Sequence, residues 1–199
     1  AIIVFLFVLG MMIIKSPHKW WILAVSVLAF LMSTGKHFPA LNYFLFDTLP
    51  GLNKFRIPNM ILVIPQLLFP LLGIWALNDI ITDKITKEEI WKKAKLSGII
   101  VGGLCLLLAV GGSMFFDFKS HRDPALLEQM SKSFQNEEAA KKVVSAIQED
   151  RASMAMQSGI MSAVFIALAL GLLWAYSKDK IKGEYVAMGV AALTAIDLM

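Results

Sequence analysis

The residues best suited to chemistry lie in one arc, Gly35-Lys36-His37-Phe38 followed by Leu49-Pro50-Gly51-Leu52-Asn53-Lys54-Phe55-Arg56-Ile57-Pro58. Lys54 and Arg56 stand just before a long apolar run, and Pro58 suits the first turn of a helix. The free N–H groups and dipole of such a helix start attract anions. Two cations and a helix N-terminus therefore converge, an arrangement that suits a phosphate. It equally suits two cations meeting lipid head groups, and the residues alone leave both readings open. Lys36 and His37 could add a phosphate contact or a base, and Asp47 an acid or a turn cap. Leu49-Pro50-Gly51-Leu52 has proline and glycine where a type II turn needs them. Elsewhere, His121, Arg122 and Asp123 read as helix-start chemistry, while Asp150 and Arg151 could pair locally or dock at the outer interface. The single cysteine, Cys105, sits in an apolar run with no metal-ligand neighbours, a packing residue. No phosphate-binding glycine loop, nucleophile elbow, HExxH or cysteine-pair site occurs, so neither metal nor cofactor is expected.

The elements that must position this arc are helical and apolar. Hydrophobic residues make up 57% of the chain and charged residues 17%, with mean hydropathy +0.67. Soluble domains run nearer 45–50% and about 25%. The charges gather between apolar runs at 1–14, 20–34, 59–77, 96–116, 158–176 and from 185 onward. This predicts an all-α, polytopic transmembrane chain with about six crossings, forming a single region over 1–199. The first and last runs are short and the chain opens on Ala1, so both ends are expected to be cut inside hydrophobic segments of a longer protein. Apart from Asp197, no ionisable residue lies well inside a run, which lowers the expectation of ion-coupled transport.

Loops 15–19, 78–95 and 178–183 carry 10 Lys/Arg in 29 residues, against 9 in 65 for segments 35–58 and 117–157. The denser set is expected in the cytoplasm. Trp20, Trp21, Trp75, Trp91 and Trp174 then all fall at that interface. The net charge of +4 fits lysines facing head groups, since no basic face with interleaved aromatics suggests nucleic acid. Thr86-Lys87-Glu88-Glu89 reads as a capping box, with lysines four residues beyond each glutamate, so 87–95 should be a short helix entering the fourth run. Between 117 and 157 an outer-face helical insertion is expected, with helices over 124–134 and 137–150. Pro65 and Pro70 should bend the third run, and Gly98 and Gly102 should admit a close neighbour to the fourth.

The 35–38 and 49–58 motifs, the Glu149-Asp150-Arg151 end of the outer helix and the closing Ala195-Ile196-Asp197-Leu198 resemble the YfhO family of bacterial membrane proteins. The variants of Bacteroidetes-like bacteria are most similar. One departure is that 153–157 lacks the further charged residue frequent in that family. The resemblance implies a multi-pass protein of the bacterial cytoplasmic (inner) membrane, similar to GT-C glycosyltransferases. Such enzymes pass a sugar from a polyprenyl-phosphate carrier to an envelope polymer on the outer face. Membrane lipids, the lipid-linked donor and the acceptor polymer would be its partners. The usual catalytic acid lies in the first outer loop, upstream of this chain, so no catalytic residue is assigned here. Lys54, Arg56, Lys36 and His37 become candidates for the carrier phosphate or acceptor. The alternative is a non-catalytic protein, a lipid or polymer flippase or an envelope-assembly scaffold.

Overall fold

The computed structural model describes residues 1–34, 44, 48, 58–115, 123–134 and 137–198. Every regular element among them is helical, with no strand. The helices are α1 (Ile2–Ile13), α2 (His18–Ser33), α3 (Val63–Ile81), α4 (Lys87–Phe115), α5 (Asp123–Phe134), α6 (Glu137–Ser177) and α7 (Gly183–Asp197). A 3-10 turn, Pro58–Leu62, leads directly into α3.

α1 is the centre of the bundle, packed against α3, α4, α6 and α7. It carries no charged side chain, so nothing opposes burial of its Ile2, Phe5, Leu9 and Ile13 stripe. Those residues share one core with Ile90 and Val101 of α4, Ile166 and Leu173 of α6, and Val186 and Val190 of α7. A second core joins Phe7 and Ile14 of α1 to Ile22 of α2 and to Leu68, Leu72 and Ala76 of α3. Ser97 is fully buried between α4 and α1, and its hydroxyl donates to the carbonyl of Phe5 at 3.0 Å. That bond offsets the cost of taking a hydroxyl out of water.

Glycines set the closest approaches. A Cβ on Gly10 would meet the Leu72 carbonyl at 2.9 Å, and one on Gly73 would meet Leu6 Cβ at 2.9 Å, so α1 and α3 lie nearly backbone to backbone. Gly98 faces Leu170 across the α4–α6 contact, as the glycine spacing predicts, whereas Gly102 has its nearest neighbour at an ordinary 3.8 Å. The tighter position is Gly159, whose added Cβ would lie 2.6 Å from Ala109 Cβ and 3.0 Å from the Cys105 carbonyl.

As expected, the segment 87–95 runs into the fourth apolar run as one helix. One expected boundary is absent, because the helix expected over 137–150 continues to Ser177 as the 41-residue α6. Nothing between Arg151 and Gln157 is a proline or glycine, so the hydrogen-bond ladder has no reason to stop. Pro65 sits in the first turn of α3, where it is tolerated best, and Pro70 lies within the helix.

Met60–Ile81 and Glu138–Ser177 are long and apolar enough to cross a membrane. Ile2–Ile13 and His18–Ser33 are apolar but shorter. A soluble core helix of that composition would be mostly buried, yet only 28% and 17% of the two apolar windows are. α3 buries Leu68, Leu72, Ala76 and Ile80 while exposing Val63, Leu67, Leu71 and Ile74, so it is apolar on both faces. α6 does the same beyond Gly159, exposing Ile160, Met161, Val164 and Leu168.

Candidate functional site

Lys36, His37, Lys54 and Arg56 lie outside the described residues, as do Asp47, His121 and Arg122. What the structure describes is the frame around that arc. α2 packs against the 3-10 turn Pro58–Leu62, so the two ends of the arc, at Thr34 and Pro58, meet at one end of the bundle. From there α3 runs 19 residues, about 28 Å at 1.5 Å per residue, to the opposite end.

At that opposite end the three lysine-rich loops gather. α3 and α6 each finish with an aspartate in the left-handed region, Asp83 (φ 51°) and Asp179 (φ 59°). Asp tolerates this backbone better than most side chains because its short polar group bonds locally. Each carboxylate is then engaged by a different element. The Tyr176 hydroxyl of α6 lies 2.8 Å from Asp83 Oδ1 and 2.9 Å from the Ile80 carbonyl, and can donate its proton to either. The Lys87 ammonium of α4 pairs with Asp179 and lies 5.4 Å from the centre of the Tyr176 ring. The result is a reciprocal clasp, with α6 holding the end of α3 and α4 holding the end of α6. Neither partner of this clasp is apparent from local spacing; the only hint was an aromatic hydroxyl at the last position of an apolar run.

Lysine and tryptophan meet repeatedly at this end. Lys19 lies 5.8 Å from the Trp20 ring, Lys95 5.3 Å from Trp91 and Lys180 4.6 Å from Trp174. Glu89 pairs with Lys93 at 2.5 Å, one of the two expected pairs on α4. The Lys93 hydrogen bond, and then its charge, hold the Glu89 carboxyl below its usual range, with Lys15 of the α1–α2 loop adding a smaller effect. Between the α3–α4 and α6–α7 loops opens a cleft of about 530 Å³, lined by Asp83, Lys87, Tyr176, Asp179, Lys180, Lys182 and Glu184 among others.

The helices expected over 124–134 and 137–150 form as α5 and the start of α6, with Ala140 and Val144 of α6 buried. Asp123 is only 7% exposed. Arg151 Nη1 donates to its two carboxylate oxygens at 3.0 and 3.2 Å, and Gln148 Nε2 donates to Oδ2 at 3.0 Å. Arg151 thus binds Asp123 and ties α5 to α6. At the far end of the chain the Asp197 carboxylate accepts from the backbone nitrogens of Ala1 and Ile2 at 2.6 and 3.1 Å.

No group of three or more His, Cys, Asp and Glu side chains able to hold a metal occurs among the described residues. No protein-family model, curated protein or solved structure matches the chain.

Proposed function

We propose that this chain is a membrane-embedded, multi-pass region of an outer-face glycosyltransferase of GT-C type, related to the YfhO family, and that it handles a polyprenyl-phosphate-linked sugar. The observation that carries the reading is the Leu49-to-Pro58 motif running straight into α3. That helix is apolar on both faces and starts at the end of the bundle remote from the lysine-rich loops. A bilayer accounts for such a surface, because a helix hydrophobic all round must be buried in protein or in lipid. The gathering of loops 15–19, 78–95 and 178–183, with lysines over tryptophans, supports a cytoplasmic face there. On this reading α1, α2, α3, α4, α6 and α7 are the six crossings. The arc 35–58 and the α5–α6 hairpin face outward.

Arg56 and Lys54, just ahead of the 3-10 turn in the sequence, are the cations we assign to the carrier's phosphate. When the sugar leaves, negative charge grows on that phosphate, and a guanidinium held beside it stabilises the charge. Arginine offers two parallel N–H bonds to phosphate oxygens, and lysine only a point charge. Arg56→Ala is expected to lower in-cell glycosylation of the envelope polymer on the order of 10²-fold at normal membrane abundance. Arg56→Lys should recover part of the loss, and Lys132→Ala should change little. Full transfer by Arg56→Ala at normal abundance would reduce this arginine to a head-group anchor and favour a flippase or scaffold.

A further inference from the structure

We propose that the cleft between the α3–α4 and α6–α7 loops binds a zwitterionic phosphoethanolamine headgroup of a membrane phospholipid. This rests on the membrane reading above but not on sugar transfer. The three loops together are strongly basic, yet the cleft is not. Lys87, Lys180 and Lys182 line it, and so do Asp83, Asp179 and Glu184, three cations against three carboxylates. A balanced lining disfavours a ligand that brings net charge of either sign. It suits one that brings an anion and a cation a few ångströms apart.

The groups are also divided by availability. Lys87 and Asp179 pair with each other, and the Asp83 Oδ1 atom is taken by Tyr176. Lys180 lies on the Trp174 ring, and among the described residues no hydrogen bond or ion pair engages the side chain of Lys182 or Glu184. Lys180 and Lys182 are therefore placed to hold a phosphodiester, while Glu184 and Asp83 Oδ2 accept from a primary ammonium. A quaternary ammonium has no N–H to donate, so choline lipids lose that half of the site. At about 530 Å³ the cleft is large enough for a headgroup. Trp174 of α6 and Tyr185 and Met188 in the first two turns of α7 are 39%, 61% and 68% exposed, which leaves apolar surface for acyl chains on the two helices that border the cleft.

The test is a titration of the detergent-solubilised full chain with short-chain phosphatidylethanolamine, phosphatidylcholine and phosphatidylglycerol, read by tryptophan fluorescence. The double variant Lys182→Ala, Glu184→Gln changes only exposed side chains and is compared with the wild type. Phosphatidylethanolamine should bind tightest, and the variant should weaken it about 10-fold with little change for phosphatidylcholine. Equal affinity for ethanolamine and choline lipids, or an unchanged ethanolamine affinity in the variant, would overturn the proposal. Tightest binding of phosphatidylglycerol, lost in high salt, would also overturn it, assigning the effect to the lysine field of the loops. Carbonate extraction of the native membranes separates the two failures. A protein released into the supernatant refutes the membrane reading itself, whereas one retained without ethanolamine preference refutes the headgroup site alone.

Discussion

Arg151 and Asp123 form a side-chain tie between α5 and α6. Because Asp123 is nearly buried, removing its guanidinium costs more than a surface pair would. Arg151→Ala is expected to raise hydrogen exchange across α5 by an amount equivalent to about 1.5–3 kcal/mol, leaving α3 and α4 unchanged. Undisturbed α5 protection would show that the apolar contacts alone hold the hairpin. Glu89 behaves differently. Its carboxyl is lowered by Lys93, so the pair's contribution is present above the ordinary carboxylate range and fades as pH falls through the lowered value. Both partners reach solvent, so salt screens it and its removal should scarcely move stability. At this scale the sequence was partly legible. Asp123-Pro124 announced a helix start, and for Arg151 a local pair or the outer interface was expected. Their pairing across 28 positions was not, because it depends on how a helical hairpin closes rather than on spacing along either helix.

The helices themselves were readable because apolar run length and the absence of breakers decide them. The continuity of α6 was missed for the complementary reason. The charged stretch up to Arg151 and the apolar stretch from Ser158 look like two environments, yet a helix ends only where a cap or breaker ends it. Glycine spacing within α4 correctly pointed to close packing at Gly98, but the pinch point is on the partner helix, at Gly159. Gly159→Ala presses a methyl onto Ala109 and a backbone carbonyl, so α4 and α6 must separate, at a cost of about 1–3 kcal/mol. Gly98→Ala meets only the tip of Leu170, which can turn aside, and should cost less. Thermal unfolding in detergent micelles ranks the two, and equal midpoints would mean the helices already have room to slide.

For the whole molecule, the central claim is that the lysine-rich end faces the cytoplasm and the α5–α6 hairpin faces outward. The all-helical class followed from composition, and the grouping of the basic loops followed from counting lysines. The arc that holds Lys36, His37, Lys54 and Arg56 was visible as residue types, but it falls between α2 and the 3-10 turn, outside the described residues. Its chemistry therefore rests on its motif and on the end of the bundle to which α2 and α3 bring it. The most direct measurement is cysteine labelling in intact cells, on a Cys105→Ala background that removes the native thiol of α4. Glu89→Cys marks the lysine-rich end and Gln135→Cys the link between α5 and α6. An impermeant maleimide should label position 135 and leave position 89 unlabelled until the membrane is opened. Labelling of both positions in intact cells would contradict the six-crossing account.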